Sequence, residues 1–102
     1  MNRVTRETPL PAPMPGRWVG ADDSSSKLVI VGGEITCYGA LVDYDYKEVS
    51  NEGGALIVNL KVDDPSRMDS FQRTNITDLV ITPEGEFLVS NVKLAARFVN
   101  SG

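Results

Sequence analysis

Between Tyr38 and Lys47 the chain carries three tyrosines and two aspartates, four of them in the unbroken run Asp43-Tyr44-Asp45-Tyr46. In a strand of period two, Val42, Tyr44 and Tyr46 share one side, and Asp43, Asp45 and Lys47 share the other. Tyr38 joins the tyrosine side if no bulge intervenes. Such a side offers apolar area with polar tips, suited to a flat ligand or a protein partner. The plainer reading is a sheet core whose hydroxyls reach the rim. Paired carboxylates are the equipment of a glycosidase, but such pairs flank a cleft, usually from different elements. Asp43 and Asp45 on one exposed strand face read more simply as solubilising charges. A carboxylate-based enzyme therefore stands as a second alternative, behind non-catalytic readings.

The remaining chemistry is sparse. Histidine is absent, which removes the commonest general base and the commonest ligand for zinc and copper. Cys37 is the one cysteine and has no cationic neighbour in sequence, so a small buried hydrophobe is expected there. Asp22-Asp23 before three serines, and Asp63, Asp64 and Asp69 further on, are oxygen-rich. They lack calcium-loop spacing and read as solvated loops and a helix cap. Asn75-Ile76-Thr77 fits the glycosylation pattern but reads as coincidence without a signal peptide. No cofactor-binding motif is present, and none is expected to be needed. Net charge is −4, with Arg3, Arg6 and Glu7 giving the first sixteen residues +1. No dense basic cluster exists, so neither nucleic acid nor an anionic membrane is an expected partner.

The chain has the length of one domain. Residues 1–15 contain Pro9, Pro11, Pro13 and Pro15 on alternate positions, which favours extended polyproline geometry. They read as a disordered proline-rich tail before a single β-barrel-like domain, 16–102. Within that domain apolar residues alternate and turn signals recur. Gly32-Gly33 and Asn51 to Gly54 read as hairpin turns. Gly39 is either a turn or a kink in one long strand. Leu56, Val58, Leu60 and Val62 face one way. Asp64 and Pro65 open a short helix near residues 65–72, with Met68 and Phe71 on one face. Leu88, Val92, Leu94, Ala96 and Phe98 share a face across a span that a break at Ser90-Asn91 would divide. The fold class is all-β: a small antiparallel up-and-down barrel or curled sandwich of six to eight strands. Closing it requires the strands near Trp18 and Phe98 to meet.

Gly16-Arg17-Trp18 resembles the Gly-x-Trp entry of the lipocalins and their calycin relatives. The resemblance implies an up-and-down barrel with small apolar ligands inside, closed at one end by Trp18, with Arg97 from the last strand region against it. The domain is shorter than typical members, which implies little spare volume for a ligand.

The expectation is thus a non-catalytic binding module for a small apolar ligand or a protein partner, with Trp18, Tyr38, Tyr44 and Tyr46 as ligand-binding residues. The alternative is an oligomeric accessory or inhibitor protein, a homo-oligomer included, acting through its acidic or tyrosine-bearing face. Met1 to Pro15 lacks the apolar stretch of a secretory signal, and a lone cysteine suits reducing conditions, so a cytoplasmic location is expected.

Overall fold

The computed structural model describes residues 2–12, 14–23, 25–37, 39–91 and 95–101. Among them are ten strands and one helix. In chain order these are β1 (Asn2–Thr5), β2 (Gly16–Gly20), β3 (Lys27–Val31), β4 (Glu34–Cys37), β5 (Ala40–Leu41), β6 (Tyr46–Glu52) and β7 (Ala55–Lys61). Then come α1 (Pro65–Thr74), β8 (Asp78–Ile81), β9 (Phe87–Ser90) and β10 (Ala95–Asn100). All strands join one sheet in the order β1-β6-β7-β8-β9-β10-β2-β3-β4-β5. The sheet curls strongly into an antiparallel half-barrel. The fold is all-β, as the alternation predicts, but the strand number exceeds the expected six to eight.

The two extra strands have separate causes. One is β1, which lies in the segment expected to be a disordered tail. The other is a break within residues 40–52. Every neighbouring pair in the sheet is antiparallel. Counting alternation round the sheet, β5 and β6 run in the same sense, so 40–52 is one path interrupted at 42–45. Its first half pairs with β4 and its second with β7. The strands near Trp18 and Phe98 do meet: Phe98 lies opposite Gly20, and Asn100 opposite Trp18.

Local sequence explains the turns. Glu52 pairs with Ala55 across Gly53-Gly54, and both glycines have positive φ, 57° and 86°. That is the backbone a two-residue hairpin needs, and glycine adopts it without a Cβ penalty. The chain also turns after Cys37 rather than running on, since Cys37 pairs with Ala40. The expected long span of 86–99 is divided into β9 and β10, and Val92 and Leu94 lie outside the described residues. Helix α1 begins as its sequence predicts. Asp64 accepts hydrogen bonds from the Ser66 N–H and hydroxyl at 3.0 and 2.8 Å, and Pro65 occupies the first turn. Phe71 is buried and Met68 packs on the core, so the helix covers one end of the curled sheet.

The inner face carries Leu28, Ile30, Ile35, Val58, Leu60, Leu79, Phe87, Val89 and Phe98, all buried. The N-terminal segment adds to it. β1 pairs with β6 over Asn2 to Thr5, and Leu10 and Met14 are buried, Met14 completely. The expectation of a disordered tail is therefore corrected. Proline density removed backbone donors but left two large apolar side chains free to fill the core. We call residues 2–14 the arm. Burying Leu10 and Met14 stabilises its docking by roughly 1.5–3 kcal/mol each before chain entropy is counted.

Among the described residues no helix is long and apolar enough to cross a membrane.

Candidate functional site

The interior is unevenly filled. Toward β2 it is dense: Trp18 meets Phe87 edge-to-face at 4.6 Å between centroids, and its indole N–H donates to the Met14 carbonyl at 2.9 Å. At the end covered by α1, the side chains from β4, β9 and the 42–45 break are short. There a hollow of about 250 Å³ remains. Its apolar wall includes Cys37, Val42, Ile76, Val89 and Phe98, and its polar rim includes Thr74, Asn75 and Asn91.

That rim is ordered by hydrogen bonds to the protein itself. Thr74 Oγ1 donates to the Ser70 carbonyl at 2.8 Å, and Asn91 Nδ2 donates to the Asn75 carbonyl at 3.1 Å. Cys37 is buried as its sequence context predicts. Burial pushes its thiol up to about 11, so at neutral pH it is a protonated, apolar wall group rather than a nucleophile.

The tyrosines do not form one patch. Tyr44 is fully buried, whereas Tyr46 is half-buried on the outer face, and Tyr38 lies outside the described residues. The expected alternation fails at the 42–45 break, where the phase shifts before β6 begins. The residue that turns inward from β6 is Lys47, wholly buried and directly opposite Leu60.

Lys47 and Tyr44 build the second cluster. Lys47 Nζ donates to the carbonyls of Thr5 and Arg6 at 2.8 and 3.2 Å and to the Tyr44 hydroxyl oxygen at 3.1 Å. The Tyr44 hydroxyl donates in turn to the Gly33 carbonyl. An ammonium has three N–H groups, so these three acceptors satisfy it without a carboxylate. Burial holds Lys47 below its ordinary range, with Glu7 pulling it up and Arg6 pushing it down. Burial also pushes Tyr44 up to about 12. Arg3 stacks over the Tyr46 ring at 3.8 Å. Both described tyrosines of the run are therefore engaged with the arm.

Asp43 and Asp45 serve the same junction. Asp43 accepts from Arg6 at 2.8 Å. Asp45 pairs with Arg67 of α1 at 3.6 Å and accepts from the Asp63 N–H at 2.8 Å. These carboxylates tie the arm and the helix to the 42–45 break, and Asp43 is 75% exposed. Asp23 is likewise used locally. It accepts from Ser25 Oγ at 2.6 Å and from the Ser25 N–H at 3.0 Å. Those bonds hold its carboxyl below the usual range.

Arg97 does not lie on Trp18. It points to Glu86 at 3.6 Å, and Phe87 takes the place against the indole that the calycin resemblance gave to a basic residue. Arg97 precedes inward-facing Phe98, and strand alternation sends it outward.

Comparison of the chain with protein-family models, with curated proteins and with solved structures finds no match.

Proposed function

We propose that this protein is a non-catalytic binding module for a small apolar molecule, held in the hollow between α1 and the inner face of the sheet. One observation carries this reading: a hollow of about 250 Å³ with an apolar wall and a polar rim at one end. Binding sites usually span roughly 300–1,000 Å³, and a cavity of roughly 150 Å³ holds one benzene ring. The fitting class is thus a single-ring or short-chain compound with its polar group at the rim. This is a smaller cargo than a lipocalin would carry. The calycin-like reading rests on Gly16-Arg17-Trp18 and on the pairing of β10 with β2. A reducing compartment, the cytoplasm, is the setting we assign, because the lone thiol of Cys37 serves as wall rather than as cross-link.

Ligand-observed NMR with indole, phenol and short-chain alcohols tests this. Saturable binding is expected, with Val89→Trp abolishing it by filling the hollow while the fold is retained. If none of these compounds gives saturable binding at millimolar concentration, the reading is wrong.

A further inference from the structure

The outer face of β10, β2 and β3 combines exposed aliphatic side chains with cations that have no partner. Leu28 and Ile30 are buried on the inner face, so strand alternation turns Lys27, Val29 and Val31 outward. Across the β2–β3 ladder Arg17 lies opposite Val29, and Val19 opposite Lys27. On the other side of β2, Val99 lies opposite Val19. Cations and valines therefore alternate across the strands, and Val99, Val19, Val29 and Val31 follow one another over neighbouring positions. Val31 is 67% exposed and Val99 39%. A shallow depression of about 380 Å³ marks the centre, lined by Arg17, Trp18, Val19, Lys27, Val29 and Ser101.

Acids outnumber bases in this chain, fourteen to ten. Every other described arginine or lysine takes a carboxylate, except Lys47, which takes carbonyls and a phenol oxygen. Among the described residues only the Arg17 and Lys27 side chains have neither an ion pair nor a hydrogen bond. They hold diagonal positions on the ladder, where neighbours stand about 7–8 Å apart. Two like charges so placed repel one another and gain from a shared counter-charge.

We propose that this face docks a partner protein through an acidic, aliphatic segment, with carboxylates on Arg17 and Lys27 and apolar side chains on the valines. The charge pattern selects an acidic occupant, because a basic one would meet two further cations. The spread of the valines selects a protein segment over a small molecule. Val31 and Val99 lie beyond the depression, on open sheet, whereas a small ligand needs walls that enclose most of its surface. Exposed apolar patches rimmed by polar groups mark interaction sites. The valines supply affinity as their area leaves water, and the cations set orientation and the rate of encounter. Arginine suits that part, since its planar fork takes a carboxylate through two hydrogen bonds. The proposal is independent of the ligand reading, since the hollow lies on the inner face of the sheet.

The test selects a random peptide display library on the full chain at low salt. Enriched sequences should interleave Asp or Glu with Val, Ile or Leu. One enriched peptide is then synthesised and titrated by fluorescence anisotropy. Arg17→Glu with Lys27→Glu should weaken its binding by about tenfold or more, as like charges then face one another. Val31→Ser should weaken it by about threefold through lost apolar area. Arg73→Glu on α1 should leave it unchanged. On the unmodified chain, the peptide should shift backbone amide NMR signals of β10, β2 and β3 and leave those of α1 in place. No enrichment, enrichment of basic sequences, binding that the double variant leaves as it was, or amide shifts confined to other elements each overturns the proposal. So does a dimer of the parent chain in sedimentation that the double variant dissolves, since a second copy would then be the occupant.

Discussion

Lys47 donates a hydrogen bond to the phenol oxygen of Tyr44 at 3.1 Å, and the two residues close the seam between β6 and the hairpin of β3 and β4. An odd separation in a regular strand would put them on opposite faces. The 42–45 break brings both inward. The Tyr44 hydroxyl reaches the Gly33 carbonyl on one side of the seam, and Lys47 reaches Thr5 and Arg6 on the other.

Tyr44→Phe should be costly. It removes the bond to the buried Gly33 and leaves one Lys47 N–H without its acceptor. Losing a partner from a buried polar group costs about 1–3 kcal/mol, and urea unfolding should show a loss in that range with an unchanged slope.

Lys47→Met should behave differently. The ammonium's bonds are lost, but so is the cost of burying a charge. The Thr5 carbonyl keeps the Thr8 N–H, while the Arg6 carbonyl loses its Lys47 donor, the single Tyr44 proton being given to Gly33. Global stability should move by less than about 1 kcal/mol, the size of one ordinary hydrogen bond. The arm should nevertheless loosen, so trypsin should cut after Arg6 faster than in the parent, a local opening that global unfolding does not report.

Met14→Ala separates a docked arm from a loose one. A fully buried methionine truncated to alanine costs about 2–5 kcal/mol, and differential scanning calorimetry should show it. A change within about 0.5 kcal/mol, the range of surface substitutions, would mean that Met14 is not in the core.

Gly33→Ala tests the seam from the other side. A Cβ at Gly33 would stand 1.9 Å from the Arg6 carbonyl oxygen, and the neighbour is backbone, so one chain must move. Overpacking of this kind costs about 1–3 kcal/mol. Amide exchange should accelerate across β1 while β7 and β8 stay protected.

Alkaline titration has a defined sign. Burial raises Cys37 from its ordinary 9.0 to about 11 and Tyr44 from 10.0 to about 12. In each window the folded chain binds more protons than the unfolded one. Stability from these groups is therefore complete below pH 9 and lost as pH rises through about 11 and then about 12. Lys47 is shifted downward and opposes the trend, because its unfolded form binds the extra proton. Urea midpoints should fall across pH 9–12, and in Cys37→Ala the fall should begin one pH unit later.

Much of the sheet was legible because period two is directly visible where one face is buried. β7 shows it best: Val58 and Leu60 face inward and Leu56 packs on the core, as their spacing predicts. The inward turn of Lys47 was also readable in principle. A two-residue turn at Gly53-Gly54 places Val49 opposite Val58 and Lys47 opposite Leu60, so counting back from β7 puts Lys47 inside. Counting forward from Val42 puts it outside, because the intervening break carries no local signal. The arm was hidden for another reason. Its prolines favour extended backbone, but docking depends on Leu10 and Met14 finding space that only the curled sheet supplies. The hollow was hidden likewise, since a void is a property of neighbours from β4, β9, β10 and the helix end together.

The pairing of β10 with β2 bears on how the molecule is made. Phe98 to Asn100 zip against Trp18 to Gly20, so the contact that joins the two halves of the sheet links segments nearly a full chain apart. Contacts of such sequence separation slow folding, because the intervening chain must be ordered first. On a ribosome the seam at β2 stays open until the last strand emerges. At a synthesis rate of about 5–20 residues per second, Trp18 waits several seconds for its final neighbour, with the edge of β2 unpaired throughout.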